Sequence, residues 1–388
     1  MQAVKFKEDI YWVGAIDWSV RNFHGYETSR GSTYNAYLIL DDKITLIDTV
    51  KHGFEEELLS RISSVVNPAD IDYIISSHVE PDHSGGLPFM RQHSPKAEII
   101  TSSPQGLKGL TARYGELNYK AVKSGETLNL GRRNLSFVTT PMLHWPDSMV
   151  TYCPEEKILF SNDAFGQHLA TTERFDDEND LPTVMREAKK YYANILMLFG
   201  QQAQKAMQAL GGLDIELIAT GHGVSWRSHI SDILAAYERW SKYEVEDKAV
   251  VVFDSMWHST EIMARTIADA FRQKGIPARY FDLKSNHISD VVTEIFTSRY
   301  LAVGSPTLNN QMMPTVASLL CYLKGLAPKN QKAFAFGSYG WGGQSVGLIE
   351  NELNAMGLTP ALPGQKIANL PTAEQLAALT DSVQSLVG

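Results

Sequence analysis

The sequence predicts a two-domain protein of the α/β class, on three observations. With 388 residues, the chain is longer than one hydrophobic core usually supports. In its first two-thirds, apolar strand-like segments are followed by polar or glycine-containing loops and often by helical patterns. After residue 248, strands and helices alternate regularly. We therefore expect one domain over residues 1–247 and a second over residues 248–388.

The clearest strand-like segments of the first domain are short apolar runs that end in a polar or glycine-containing loop. They span residues 35–40, 73–76, 158–161 and 217–220. In open α/β sheets, ligands bind in the crevice beyond the carboxyl ends of the strands. The loops after these segments are therefore the places where functional side chains are expected.

The second domain begins where a helical pattern gives way to the charged stretch 243–248. We predict strands at 249–254, 278–283, 300–305 and 332–337 and helices at 260–274, 289–297, 314–325 and 345–356. Strands that alternate with helices imply a parallel sheet with helices on both faces.

Composition and charge narrow the classes of function. The fractions of hydrophobic residues, 44%, and charged residues, 20%, are typical of a globular protein. A formal net charge of -9 argues against a nucleic-acid partner and gives no reason to expect binding to anionic membranes. Residues 1–9 lack an apolar signal region, and no stretch approaches the length of a membrane span. We therefore expect a cytoplasmic protein with small-molecule or protein partners.

The densest group of candidate metal ligands lies directly after the segment 73–76. In an extended backbone, side chains at i, i+2 and i+4 point to one side, so His78, Glu80 and Asp82 are expected to converge. His83 would join them after a turn. The glycine pair 85–86 would then allow close backbone packing where the next helix starts.

Three further candidates, His144, Asp163 and His222, stand beyond other predicted strands. Together the seven side chains comprise four imidazoles and three carboxylates, enough for two ions if one carboxylate bridges them. Cys153 and Cys321 lie far apart and outside any CxxC pair, so a thiolate-bound structural zinc is disfavoured. We predict a binuclear metal centre at these strand ends.

The loop 78–83 resembles that of the binuclear metallo-β-lactamase superfamily, whose hydrolases carry His-x-His-x-Asp-His at this place. In the present chain, Glu80 stands where those hydrolases have the second histidine. The added carboxylate favours a harder, redox-active ion such as iron over zinc. This departure resembles the flavodiiron protein family, also called A-type flavoproteins.

The resemblance implies a metallo-β-lactamase-like αββα sandwich in the first domain and two iron ions within it. In the family, the residue at the position of His83 is not a ligand in every member. The resemblance assigns His78, Glu80 and His144 to one iron, Asp82, His83 and His222 to the other, and Asp163 to the bridge between them.

Three loops of the second domain predict a nucleotide site. The loop after strand 249–254 combines hydroxyls with the backbone N–H groups of a helix N-terminus, which suits a phosphate. Neither a P-loop lysine nor a GxGxxG motif is present, so a flavodoxin-like mononucleotide site fits best. The loops after strands 300–305 and 332–337 offer polar atoms and glycine backbone for the isoalloxazine edges, and Trp341 is suited to cover a ring face.

These loops resemble those of flavodoxin, which binds FMN, and the resemblance implies a flavodoxin-like doubly wound sheet. The candidate FMN-binding residues are Ser255, Met256, Trp257, His258, Ser259, Thr260, Ser305, Pro306, Thr307, Leu308, Asn309, Asn310, Ser338, Tyr339, Gly340, Trp341, Gly342 and Gly343.

A metal domain followed by a flavin domain extends the flavodiiron resemblance over nearly the whole chain. The resemblance implies an oxidoreductase that reduces dioxygen to water, nitric oxide to nitrous oxide, or both. Two ferrous ions and reduced FMN together hold four electrons, which is the number that dioxygen needs to become two waters. His24 and Tyr191 are candidate donors of protons or hydrogen bonds beside the metals.

The electron donor is expected to be a separate molecule. The sequence has no CxxC pairs for a fused rubredoxin and no further domain for a flavin reductase. By resemblance, the donor is a rubredoxin or a reduced deazaflavin coenzyme. The family also forms head-to-tail dimers, or dimers of dimers, in which the FMN of one subunit lies against the diiron site of the other.

Two other interpretations of the sequence remain. One is a metallo-β-lactamase-type hydrolase with an accessory flavodoxin domain, which Glu80 disfavours and which bound zinc would support. The other is an electron carrier whose metal domain is only a scaffold, and the complete set of candidate ligands speaks against it.

Overall fold

The structure is a computed structural model that describes residues 1–387. The two-domain α/β prediction is confirmed, since these residues form two compact units. The first unit comprises Met1–His24, Thr28–Tyr191 and Gln201–Glu238, and the second comprises Gly25–Glu27, Tyr192–Gly200 and the chain from Arg239 onward.

Strands and helices alternate through most of the chain. In chain order, the strands up to residue 220 are β1 (Val4–Lys7), β2 (Ile10–Trp12), β3 (Ala15–Asp17), β4 (Asn22–Phe23), β5 (Tyr26–Glu27), β6 (Ser32–Tyr34), β7 (Tyr37–Ile39), β8 (Thr45–Ile47), β9 (Tyr73–Ser76), β10 (Glu98–Ser102), β11 (Tyr119–Val122), β12 (Thr127–Asn129), β13 (Asn134–Thr139), β14 (Met149–Cys153), β15 (Ile158–Asn162) and β16 (Leu217–Thr220). The helices up to residue 241 are α1 (Glu55–Ser63), α2 (Pro81–Ser84), α3 (Leu87–His93), α4 (Gln105–Tyr114), α5 (Leu181–Tyr191), α6 (Gly200–Leu210) and α7 (Ile230–Ser241). The later elements are β17 (Glu246–Phe253), α8 (Ser259–Gln273), β18 (Ala278–Asp282), α9 (Ile288–Phe296), β19 (Ser298–Gly304), α10 (Pro314–Leu326), β20 (Lys332–Tyr339), α11 (Gln344–Ala355), β21 (Gln365–Ala368) and α12 (Ala373–Gln384).

The first unit is a four-layer αββα sandwich. One sheet has the strand order β1-β2-β7-β8-β9-β10-β11 and the other has the order β12-β13-β14-β15-β16. Ile75 and Phe160, one from each sheet, belong to the apolar core between the sheets. A separate apolar cluster joins the outer face of the first sheet to α1, α3 and α4. On the second sheet, Leu159 of β15 lines a small cavity with Leu210 of α6 and Leu234 of α7.

The strands that were predicted to precede ligands run parallel to a neighbour. β9 lies between β8 and β10, both parallel to it, and β15 pairs in parallel with β16. The predicted strands 73–76, 158–161 and 217–220 therefore end where loops can meet, beyond the carboxyl edges of the sheets. The predicted strand 35–40 is shorter, because only Tyr37–Ile39 makes ladder hydrogen bonds.

The second unit contains a parallel sheet with the order β18-β17-β19-β20-β21. This is the strand order of flavodoxin. α8 and α12 pack on one face, where Met263, Ile267 and Leu379 are buried, and α9 contacts β17 and β19. Each predicted strand and helix of this unit is present within three residues of its expected ends, and β21 and α12 were not predicted.

The domain boundary predicted between residues 247 and 248 lies inside β17. The last change of compact unit along the chain lies earlier, between Glu238 and Arg239.

Among residues 1–387, none of the helices has both the length and the apolar character needed to cross a membrane.

Candidate functional site

The loop after β9 carries four of the predicted metal ligands. His78 lies two residues after the end of β9, and Glu80 has the conformation of a residue just before a helix, with φ -57° and ψ 138°. Pro81 then begins the single-turn helix α2, because its fixed φ suits the first helical position. The expectation that Asp82 lies on an extended segment was wrong, since Asp82 and His83 both project from this helical turn.

The glycine pair after α2 allows the close backbone packing that the sequence predicted. A Cβ atom on Gly85 would overlap the carbonyl oxygen of Pro81 and would lie 3.0 Å from the backbone nitrogen of His52. A Cβ atom on Gly86 would lie 3.1 Å from the Thr49 side chain. The glycines therefore let the loop sit against the segment that follows β8.

The structure brings all seven predicted ligands together. Asp163 follows β15, His222 follows β16, and His144 lies in the loop between β13 and β14. Two groups of ligand atoms result, each with its atoms within 4.8 Å of one another. The first group is His78, Glu80, His144 and Asp163, and the second is Asp82, His83 and His222.

Asp163 lies between the two groups, with one carboxylate oxygen facing each. Its Oδ2 is 3.4 Å from His144 Nε2 and 3.7 Å from His78 Nε2. Its Oδ1 is 3.0 Å from His83 Nε2 and 3.4 Å from His222 Nε2. This is the arrangement that a carboxylate bridging two metal ions requires.

The chemistry of the seven side chains fits cations. Among residues 1–387, no well-aligned hydrogen-bond partner is present for the buried carboxylate oxygens of Asp82 and Asp163 or for the buried ring nitrogens of His83. Uncompensated polar atoms in such positions are costly, so buried charges are normally paired or bound to metal. The donor set of imidazoles and carboxylates suits iron.

The electrostatics of the cluster lead to the same conclusion. Burial favours neutral carboxyl groups, yet the adjacent histidines hold the pKa of Glu80, Asp82 and Asp163 below the usual range. Burial also opposes protonation of His83, but the charges of Asp82 and Asp163 outweigh it and raise its pKa to about 10. The ionised carboxylates are thus stabilised by nearby positive charge, which bound metal ions would supply in place of the protons on the histidines.

In the second unit, the three predicted loops lie at the carboxyl ends of the adjacent strands β17, β19 and β20. A cavity of about 530 Å³ is lined by Met256, Trp257, Thr307, Leu308, Asn309, Asn310, Gly340 and Trp341. A neighbouring cavity of about 370 Å³ shares some of these residues and is also lined by Ser259, Pro306, Ser338, Tyr339, Asn369 and Leu370. Both volumes are in the range of small-molecule sites.

The loop before α8 has the features of a phosphate site. Ser255 is buried and its hydroxyl has no hydrogen-bond partner among the described residues, and Thr260 Oγ1 lies 2.8 Å from Ser338 Oγ. Ser259 begins the helix of 15 residues, whose N-terminal N–H groups favour an anion. The indoles of Trp257 and Trp341, 85% and 84% exposed, stand at the larger cavity with room for a flat ring between loops.

Six predicted residues of these loops line neither cavity, namely Ser255 and Thr260 and the four described next. Ser305 is buried and holds its own loop, since its hydroxyl accepts a hydrogen bond from the backbone nitrogen of Met313 at 2.8 Å. His258 lies 2.8 Å from Glu261 at the surface. Gly342 and Gly343 have φ of +84° and +74°, and so form the turn before α11.

Comparison with known proteins places this arrangement in a family. Residues 33–223 match the family model described as ODP family beta lactamase, and residues 251–380 match that of flavodoxin. A nitric oxide reductase of Moorella thermoacetica is 44% identical over 97% of this chain and 96% of its own length. The rubredoxin-oxygen oxidoreductase of Megalodesulfovibrio gigas is 43% identical over 100% of this chain and 98% of its own. The crystal structure of the flavodiiron protein of Giardia intestinalis is 40% identical, with a TM-score of 0.97 over 100% of this chain and 96% of its own.

The chain belongs to the flavodiiron protein family. The resemblance inferred from Glu80 and the loop order is confirmed, as are the metallo-β-lactamase-like and flavodoxin-like folds. The hydrolase interpretation is not favoured, because the similar proteins that are named for a reaction are oxidoreductases.

In this flavodiiron protein, the two predicted donors lie close to the ligands. His24 Nε2 is 2.9 Å from Glu80 Oε1, while the other oxygen of Glu80 faces His78 and His144. The His24 side chain is 73% exposed, so it links Glu80 to solvent. Tyr191 is buried at the end of α5, with its ring centroid 6.2 Å from that of His222.

Sequence reasoning missed two side chains beside the ligands. Asp147 Oδ2 accepts a hydrogen bond from His78 Nδ1 at 3.0 Å, and His168 Nδ1 lies 2.7 Å from Ser32 Oγ with its ring 4.9 Å from that of His222. Burial, reinforced by His222, lowers the pKa of His168 well below its usual value. In the sequence, only its position five residues after Asp163 could have indicated that His168 lies near the predicted ligands.

Gly223, next to the predicted ligand His222, provides a first test of this geometry. Its φ is +73°, and a Cβ atom there would overlap the side chain and the carbonyl oxygen of Gln167. A left-handed backbone alone costs a residue with a Cβ about 1–2 kcal/mol. We expect Gly223→Ala to lower the melting temperature and the bound metal, measured by calorimetry and elemental analysis.

The matched control is Gly212→Ala, where a Cβ atom would meet nothing within 4 Å. It should leave both quantities near those of the wild type. Equal melting temperatures and metal contents in the two variants would contradict the tight packing of the His222 loop.

Proposed function

We propose that this flavodiiron oxidoreductase reduces dioxygen to water, nitric oxide to nitrous oxide, or both, with electrons relayed through FMN from an external donor. The observation that carries the proposal is Asp163, whose two oxygens face separate ligand groups, one of which includes Glu80. An extra carboxylate in place of a histidine favours a redox-active ion over zinc.

The ligand roles follow from which atoms face each other. His78, Glu80 and His144 would hold one iron, Asp82, His83 and His222 the other, and Asp163 both. When bound, the two irons and FMN supply the electrons that the oxidant takes up. The protein fixes the ligand atoms and buries most of the ligand side chains, and burial limits side reactions with water.

The residues around the ligands hold protons. The His24 Nε2–H group would donate to Glu80 Oε1 and can exchange its proton with solvent, because the ring is largely exposed. Tyr191 keeps its phenolic proton at neutral pH, since burial and the charge of Asp163 raise its pKa well above the usual value. We assign His24 as a candidate donor of the protons that water formation requires, and Tyr191 as a candidate hydrogen-bond donor beside the metal centre.

The flavin loops divide into a phosphate end and a ring end. Ser255, Ser259 and Thr260 would bind the FMN phosphate, and the tryptophans 257 and 341 would flank the ring cavity. Asn369 and Leu370, which follow β21, add a fourth segment to this site.

The electron donor and the oligomeric state proposed for this protein are inferred from other members of the family. The relative from Megalodesulfovibrio gigas is named for rubredoxin, and we propose a rubredoxin, or a reduced deazaflavin coenzyme, as the donor here. We further propose a cytoplasmic head-to-tail homodimer, or a dimer of dimers, in which the FMN of one subunit serves the diiron site of the other. Neither nucleic acid nor a membrane is part of the proposal.

The first experiment is elemental and flavin analysis of the purified protein. We expect about two irons and one FMN per chain, as a bridged two-ion site requires. Parallel anaerobic assays with one chemical electron donor and either dioxygen or nitric oxide should then show turnover with at least one oxidant. Stoichiometric zinc in a protein with no turnover of either oxidant would refute the proposal.

A further inference from the structure

Two histidines on opposite sides of the metal centre are held by different acceptors. His78 donates from Nδ1 to the carboxylate oxygen Oδ2 of Asp147 at 3.0 Å. His222 donates from Nδ1 to the backbone carbonyl oxygen of Thr33 at 2.6 Å. In both rings Nε2 faces the ligand group, so the two imidazoles present the same atom to a metal ion. They differ in the acceptor behind the ring, which is a carboxylate for His78 and a neutral carbonyl for His222.

Asp147 is fixed in this position. It is 4% exposed, and its Oδ2 also accepts a hydrogen bond from the backbone nitrogen of Val79 at 2.6 Å. Its own carbonyl oxygen accepts a hydrogen bond from Ser102 Oγ at 2.6 Å. Two N–H donors, His78 Nδ1 and the Val79 backbone nitrogen, therefore point at the same oxygen, which is the environment of a carboxylate rather than of a protonated carboxyl group.

A carboxylate behind a ligating imidazole strengthens the ligand. It fixes the ring and the tautomer, raises the basicity of the nitrogen that faces the metal, and stabilises the more highly charged state of the ion. A neutral carbonyl also fixes the ring and its tautomer, but it does much less to stabilise the more highly charged state of the ion. The group that contains His78 also includes Glu80, whose second oxygen lies 2.9 Å from His24.

We propose that Asp147 is a positioning residue that makes the two metal sites electronically unequal. The site of His78, Glu80 and His144 then has the lower reduction potential and the tighter metal binding. With iron bound, His222 and its neutral acceptor would hold the ion that the external donor reduces first, and His78 with Asp147 would hold the ion that is reduced second. This ordering rests on the proposed diiron function, whereas the difference in metal affinity does not.

The test uses the full-length Asp147→Asn variant, in which the acceptor keeps its shape and loses its charge. The apoprotein is titrated with Fe²⁺ and, separately, with Zn²⁺. Loss of such an outer partner typically costs about 10–100-fold in metal affinity. We expect that weakening at one of the two sites and an unchanged affinity at the other, with either ion.

A potentiometric titration of the iron-loaded protein provides the second readout. With dithionite as reductant, Asp147→Asn should raise the potential of the lower iron couple, and the maximum of the mixed-valence paramagnetic signal should fall. Ser102→Ala removes a hydrogen bond to the backbone of Asp147 but leaves its carboxylate, so it should resemble the wild type in both measurements. A circular dichroism spectrum checks that each variant is folded.

The outcomes separate the two proposals. Equal weakening at both sites, or no weakening at either, overturns the role of Asp147, as does an unchanged gap between the two iron couples. If Asp147→Asn does not fold, Asp147→Glu replaces it, and a wild-type-like difference between the sites supports the role while its loss overturns it. If the wild-type protein has no iron couples, the oxidoreductase proposal fails, and the Zn²⁺ titration still decides the role of Asp147.

Discussion

Replacing Asp163 by alanine should remove both metal ions from the purified protein while FMN stays bound at one per chain. Each oxygen of Asp163 faces a different pair of histidines, so one substitution takes a ligand from both ions. The two cations would then face each other without the anion between them. We expect a loss of affinity larger than the about 10–100-fold that an outer partner costs, and turnover near the background.

Iron and FMN analysis of the same preparation measures this, because the FMN loops belong to the second unit and should be unaffected. Asp232→Ala is a suitable control, since that carboxylate is 55% exposed and, within residues 1–387, its ion-pair partner is His229, which is not one of the predicted ligands. Two irons and normal turnover in Asp163→Ala would remove the bridging assignment.

Mixing two inactive variants should restore part of the activity. The first is Asp163→Ala, which keeps FMN, and the second is Ser259→Asp, which keeps iron. A carboxylate at the first residue of α8 would repel the FMN phosphate, so the second variant should lose its flavin. If FMN serves the diiron site of the other subunit, a heterodimer contains one composite site in which both cofactors are intact.

The measurement is turnover with the external donor, before and after subunit exchange. Each variant alone should have almost no activity. With free exchange of equal amounts, about half of the dimers are heterodimers and each has one intact site of two, so the mixture should regain up to about a quarter of the wild-type rate. Exchange is followed with two different affinity tags. If tagged heterodimers form and the mixture stays inactive, each chain must use its own FMN, and the head-to-tail arrangement is wrong.

The sequence predicted the elements with a clear pattern and missed those without one. Strands 73–76 and 217–220 were placed at their observed ends, because short apolar runs between polar loops have few alternatives. The four-residue helix α2 was missed because one turn contains no periodicity, although Pro81 marks its start. β21 was missed because its residues, Gln365–Ala368, are mostly polar or small.

The same limit applies to the site. The seven candidate ligands have the residue types that metal chemistry needs, so sequence reasoning found them and the fold brings them together. Asp147 is a lone aspartate, 69 residues from His78, and only the fold places it behind that ring. Asn369 and Leu370 have no feature that marks a flavin site, and only their position after β21 brings them to the cavity.

The anchoring of the His222 loop has a consequence for how the protein is made. His222 is held by Thr33, 189 residues earlier, and the backbone of Gly221 by Asn35. At the usual rate of synthesis of about 5–20 residues per second, the ribosome needs roughly ten to forty seconds to deliver the second member of this pair after the first. During that interval Thr33 and Asn35 lack these partners, and His222, the last predicted metal ligand, is synthesised before any of the flavin loops. The seven predicted ligands are therefore all present in a nascent chain that has no flavin-binding loop yet.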